Sequence, residues 1–107
     1  MVVGKWEYIV TTGYGIFPPP LPAGNGKTIL FEANGNYERR SHDTVLFKGW
    51  YNLVETTDCF GTEKKIFLNT ADSAFTNGRY IIISSDSLIL NTSNCLSDGA
   101  TSAYRKL

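Results

Sequence analysis

The chain is poor in the residues that most reactive chemistry needs. Its 107 residues include one histidine, two cysteines and one methionine. A structural zinc centre needs four ligands, usually at characteristic spacings, and Cys59, Cys95 and His42 stand far apart with no C-x-x-C pair. No metal and no cofactor are therefore expected. There is no G-x-S-x-G elbow to present a nucleophile. His42 lies in the charged segment Arg39-Arg40-Ser41-His42-Asp43, which reads as a solvated strand end. Net charge is also missing. Ten Lys and Arg balance ten Asp and Glu, which argues against nucleic acid, a partner that normally demands a basic excess. Long apolar runs are absent, the longest being Tyr80–Ile83, far short of the ~20 residues of a membrane-spanning helix. Helical periodicity is absent as well: no window holds a sustained i, i+3, i+4, i+7 apolar stripe.

What is present is alternation. The period is two nearly everywhere, and Asn-Gly and Ser-Asp pairs punctuate it. Trp6, Tyr8 and Val10 fall on one face of a first strand. Thr28–Glu32 is a short apolar strand, Asn34-Gly35-Asn36 a turn, and Asn36–Ser41 the return. Val45–Val54 is the longest candidate, with Val45, Phe47, Gly49, Tyr51 and Leu53 on one face and a bend or bulge expected at Gly49. Lys64–Asn69, Arg79–Ser84, Ser87–Asn91 and Thr101–Leu107 complete eight strands. Such a meander predicts an all-β fold in one domain over residues 1–107, an eight-stranded up-and-down antiparallel barrel that closes away its sheet edges. A two-sheet sandwich is the alternative.

Gly4-Lys5-Trp6 opens the first strand and Tyr104-Arg105-Lys106 ends the last. Between them come Thr28-Ile29-Leu30-Phe31, Asn34-Gly35-Asn36-Tyr37, Gly49-Trp50-Tyr51-Asn52-Leu53 and Ser87-Leu88-Ile89-Leu90. This ordered set resembles the lipocalin-like (calycin) barrel domains of secreted proteins and lipoproteins of Gram-negative bacteria. The resemblance implies a cation of the last strand over the Trp6 ring. That position falls on Lys106, so Gly4, Trp6 and Lys106 are structural expectations. It also implies a cell-envelope or secreted location, with a lipid anchor upstream of Met1. The first residues hold no basic-then-apolar leader, which leaves a cytoplasmic location as the alternative.

Cys59 and Cys95 sit in polar, loop-like surroundings, and a pair of loop cysteines suggests a disulfide and an oxidising compartment. Gly24-Asn25-Gly26-Lys27-Thr28 lacks the first glycine of a phosphate loop, because Leu21 stands there, and a strand follows where a helix is required. The acids are scattered singly. Glu7 and Glu32, inside apolar strands, read as outward-facing residues.

These observations favour a binding module without enzymatic activity. An eight-stranded barrel is wide enough to be filled by side chains or to hold one small ligand. Inward alternation selects Tyr8, Val10, Ile29, Phe31, Tyr37, Phe47, Tyr51, Leu53, Ile66, Leu68, Tyr80, Ile82, Leu88, Leu90 and Tyr104. Tyr8, Phe31, Tyr37, Phe47, Tyr51, Tyr80 and Tyr104, with Tyr14 and Phe17 as a lid, are the expected contacts for a small apolar or aromatic ligand. The alternative is an envelope interaction or protease-inhibitor-like protein that acts through the Gly13–Gly26 loop, with Phe17–Pro22 as the protein contact. Trp50 and Leu30 are expected to face outward.

Overall fold

The structure is a computed structural model and describes residues 2–13, 18–57, 64–72, 79–92 and 100–107. The strands are β1 (Gly4–Gly13), β2 (Lys27–Phe31), β3 (Asn36–Ser41), β4 (Thr44–Thr57), β5 (Lys64–Thr70), β6 (Arg79–Ile83), β7 (Ser87–Thr92) and β8 (Ala100–Lys106). Each pairs antiparallel with the next, and β8 returns to β1 to close the barrel. No helix occurs among the described residues. The sandwich alternative falls because β4 joins what would be two sheets. Its first half pairs with β3 and its second half with β5.

The turns follow local chemistry. Between β2 and β3, Glu32 and Asn36 close the loop through their backbones, and the Asn34 side chain accepts the Asn36 N–H at 3.1 Å. Between β6 and β7, the Ser84 N–H donates to the Ser87 carbonyl at 2.9 Å, with the two hydroxyls 2.6 Å apart. His42 is exposed in the β3–β4 turn, and its N–H donates to the Gly26 carbonyl at 2.7 Å.

The core gathers Trp6, Ile29, Phe31, Tyr37, Leu68, Leu88, Leu90 and Tyr104, with Val2 across one end. Burial of each such side chain contributes about 1.5–3 kcal/mol. An exposed ion pair contributes about 0–1, so the apolar interior decides the fold.

Several side chains depart from strict alternation. The pairing of β1 with β8 slips between Tyr8 and Val10. A β-bulge of this kind inserts one residue and reverses the faces beyond it. Thr11 therefore meets Ser102 at 2.9 Å, and Val10 takes the outer face. In β6, Ile81 and Ile83 pair with Leu90 and Leu88, both fully buried. Ile81 and Ile83 point inward, and Tyr80 and Ile82 point outward, correcting the expectation for both. A run of four apolar residues carries no alternation, so only pairing sets its phase. Leu53 and Ile66 are 40% and 42% exposed. They lie on the β4–β5 hairpin, which outruns the three residue pairs that join β5 to β6. The bulge in β4 falls near Leu46, opposite Arg39 and Arg40, and not at Gly49. Gly49 serves close packing instead: a Cβ there would stand 2.8 Å from the Phe47 ring.

Candidate functional site

The two ends of the barrel differ. At the base, the buried Trp6 ring donates its indole N–H to the Val2 carbonyl at 2.9 Å. The Lys106 ammonium lies 4.6 Å from the Trp6 ring centre and donates to the Val3 carbonyl at 2.9 Å. Gly4 makes this possible. Its φ of 138° belongs to a region that L side chains avoid, and a Cβ there would come within 2.0 Å of the Lys106 nitrogen. Phe31, Tyr37, Phe47 and Tyr51 fill the interior near this end, with Phe31 4.9 Å from Tyr51, 5.3 Å from Tyr37, and Tyr37 5.9 Å from Phe47. The Tyr51 hydroxyl donates to the Glu32 carbonyl at 2.7 Å. These four residues, expected as ligand contacts, are packing residues of the core.

Along β2 and β3 the inward residues change character toward the other end. Phe31 gives way to Ile29 and Lys27, and Tyr37 to Arg39 and Ser41. A cavity of about 420 Å³ opens there, within the ~300–1,000 Å³ of small-molecule sites. Tyr8, Ile29 and Tyr104 form its apolar wall, and Lys27, Arg39 and Ser41 its polar one. Thr28, Arg40 and Leu46 complete the lining. Tyr8 and Tyr104 meet edge to face at 5.7 Å.

A polar cluster underlies the cavity. Asp72, just beyond β5, is fully buried. It accepts hydrogen bonds from Arg39 Nε at 2.7 Å, from Arg39 Nη2 at 3.0 Å and from the Tyr37 hydroxyl at 2.9 Å. Burial and the adjacent Asp72 push the Tyr37 phenol far above its usual range, so it remains a donor. The hydrogen bond to Asp72 also raises Arg39, against the opposing effect of burial. Burial raises the Tyr104 phenol and lowers Arg79, which shares this part of the interior. The Tyr8 hydroxyl donates to Thr11 Oγ1 at 2.7 Å. Tyr104 differs: its ring is 6% exposed, and its hydroxyl has no hydrogen-bond partner among the described residues.

Outside the barrel, residues 18–26 are tied to the wall. Glu7 faces outward, as its alternation with Trp6 requires, yet it is only 3% exposed. Both of its carboxylate oxygens accept the Gly24 N–H at 3.0 Å, and Arg105 Nε stands 3.3 Å away. The Leu21 N–H donates to the Ile9 carbonyl at 2.8 Å, and the Asn25 side chain to the Tyr8 carbonyl at 2.8 Å. These bonds satisfy β1 where its pairing with β2 has ended.

Of the expected ligand contacts, Tyr8 and Tyr104 reach the cavity. Tyr80 lies on the outer wall, with its ring 5.9 Å from Phe67 and the Lys65 ammonium 4.2 Å above it. Trp50 is 47% exposed on the outer face and Leu30 is partly covered. Tyr14, Phe17, Cys59 and Cys95, and with them the lid and the disulfide, lie outside the described residues. Alternation alone overlooked Lys27, Arg39, Arg79 and Asp72. Arg39 had a signal, since it stands two residues from the inward Tyr37, whereas Asp72 had none. Among the described residues no group of three or more His, Cys, Asp and Glu gathers to hold a metal, and no helix is long and apolar enough to cross a membrane. No protein-family model, curated protein or solved structure matches the chain.

Proposed function

We propose that this barrel is a non-enzymatic binding module that holds one small ligand in the cavity lined by Tyr8, Ile29, Arg39 and Tyr104. The observation that carries the reading is the contrast between the two ends of one closed barrel. The base is sealed by Trp6 and Lys106, while the opposite end leaves about 420 Å³ beside Tyr104, whose hydroxyl has no hydrogen-bond partner among the described residues. That hydroxyl is free to bond a ligand or ordered water. The sealed base is in keeping with the likeness to lipocalin-like barrels, and the envelope location is proposed on that likeness alone. The expected ligand shifts from apolar or aromatic to amphipathic, because Lys27, Arg39 and Ser41 line one side of the cavity.

The alternative, a protein contact through the Phe17–Pro22 loop, is weakened by the ties at Leu21, Gly24 and Asn25. Of the described residues of that loop, Pro18, Pro19, Pro20 and Pro22 are exposed and Leu21 is held against β1. Native mass spectrometry of protein purified from its own cells tests the proposal, followed by organic extraction. A single co-purifying small molecule is the expected result. A clean apo mass, together with no saturable uptake of any small amphipathic probe, would overturn it.

A further inference from the structure

We propose that the cavity selects small organic anions: a carboxylate or comparable acid group joined to an apolar or aromatic body. This inference rests on the binding-module reading and refines it. Among the described residues of the lining three side chains are cations, Lys27, Arg39 and Arg40, and none is a carboxylate. The three are not equally available. Arg40 is paired with Glu38. Arg39 gives two N–H groups to Asp72, which leaves three of the five donors of a guanidinium for other acceptors. Lys27 has no ion pair among the described residues, and its ammonium stands 5.9 Å from the centre of the Tyr8 ring.

The Tyr104 hydroxyl adds a neutral donor to the same space. Tyr104 lines the cavity, and its hydroxyl has no hydrogen-bond partner among the described residues. The two acids that the described residues place against the lining are both engaged: Glu38 pairs with Arg40, and Asp72 is fully buried behind Arg39 and accepts hydrogen bonds from Arg39 and Tyr37. A cleft lined by one sign of charge and walled by apolar side chains concentrates the opposite charge.

An anionic head placed between Lys27, Arg39 and Tyr104 accepts charge-assisted hydrogen bonds, about twice as strong as neutral ones. Its apolar body then covers Ile29 and the Tyr8 ring. A neutral molecule of the same shape desolvates the cations and returns nothing to them. Discrimination therefore comes from the rejection of neutral analogues as well as from attraction of the anion.

A matched pair of fluorescent probes tests this. 8-Anilinonaphthalene-1-sulfonate carries the charge, and N-phenyl-1-naphthylamine has the same rings without it. Both are titrated against the folded protein, its Lys27→Met variant and its Tyr104→Phe variant. The expected result is one site per chain, with the sulfonate bound about tenfold more tightly than the amine. Lys27→Met weakens the sulfonate about tenfold and leaves the amine unchanged. Tyr104→Phe weakens the sulfonate by a smaller factor. Added salt weakens the sulfonate alone. Lys27 is exposed, so its variant keeps the fold, and the salt series needs no variant at all. Equal affinity for the two probes, or a sulfonate affinity indifferent to Lys27→Met and to salt, overturns anion selection while the cavity reading stands. Failure of both probes to saturate a single site overturns the cavity reading itself.

Discussion

Tyr37 and Tyr104 are both buried, at 1% and 6% exposure, and removal of one oxygen from each should have different consequences. The Tyr37 hydroxyl donates to the buried Asp72 carboxylate at 2.9 Å. A hydrogen bond to a charged group contributes about 1.5–3 kcal/mol. Arg39 continues to hold Asp72 after Tyr37→Phe, so the lower half of that range applies, about 2 kcal/mol. At about 4–8 °C per kcal/mol for a domain near this size, the midpoint should fall by roughly 10 °C. The Tyr104 hydroxyl has no partner among the described residues, so Tyr104→Phe breaks no hydrogen bond there and keeps the ring against Tyr8. Its stability should stay within about 0.5 kcal/mol of the parent or rise slightly. Urea unfolding followed by tryptophan fluorescence measures both, because Trp6 is only 1% exposed and reports loss of the core. The slope with urea should not change, since neither substitution alters the surface exposed on unfolding. Equal losses for the two variants would refute the assignment of Asp72 as the partner that distinguishes them.

Three further outcomes follow from the same contacts. Gly4→Ala should lose about 1–3 kcal/mol, because an L side chain is strained at φ 138° and its methyl displaces Lys106 from Trp6; Lys106→Met, which removes the cation and its exposed hydrogen bond to Val3 without straining the backbone, should lose less in the same urea assay. Glu7→Gln should release the strap over residues 18–26, since it weakens the hold on Gly24 and Arg105. Limited proteolysis reads this as faster cleavage within the strap, and an unchanged rate would show that Glu7 is not what holds it. Alkaline pH should destabilise the barrel. Tyr37 and Tyr104 hold their protons more tightly folded than unfolded, so their contribution is complete below pH about 10 and is lost as pH rises above it. Tyrosinate absorbance should show at least these two of the six tyrosines ionising only with unfolding.

The strand count and the barrel were legible in the sequence, because alternation and turn chemistry act over two to five residues and need no knowledge of the partner strand. Gly4, Trp6 and Lys106 were expected from the resemblance to lipocalin-like barrels, and the Lys106 ammonium does lie over the Trp6 ring. The cavity was harder to see. Tyr8 and Tyr104 were in the expected set, but Phe31, Tyr37, Phe47 and Tyr51 proved to be core, since alternation tells inside from outside and not filled from empty. Glu7 shows the same limit on the outer face. Its direction followed from Trp6, and its burial came from a loop 17 residues away.

By itself the sequence determined the all-β character and the order of strands, each a matter of local period and turn chemistry, while the seal at the base was implied by the resemblance to lipocalin-like barrels. Tertiary structure alone decided the rest. The run Tyr80–Ile83 took its phase from Leu88 and Leu90, because a uniformly apolar strand has no preferred face until a neighbour bonds to it. The bulge after Tyr8 reversed Val10 because β1 carries one residue more than β8 across that stretch. Asp72 met Arg39 across 33 residues of chain, since an ion pair depends on where closure of the barrel brings two side chains and leaves no periodic trace in either strand.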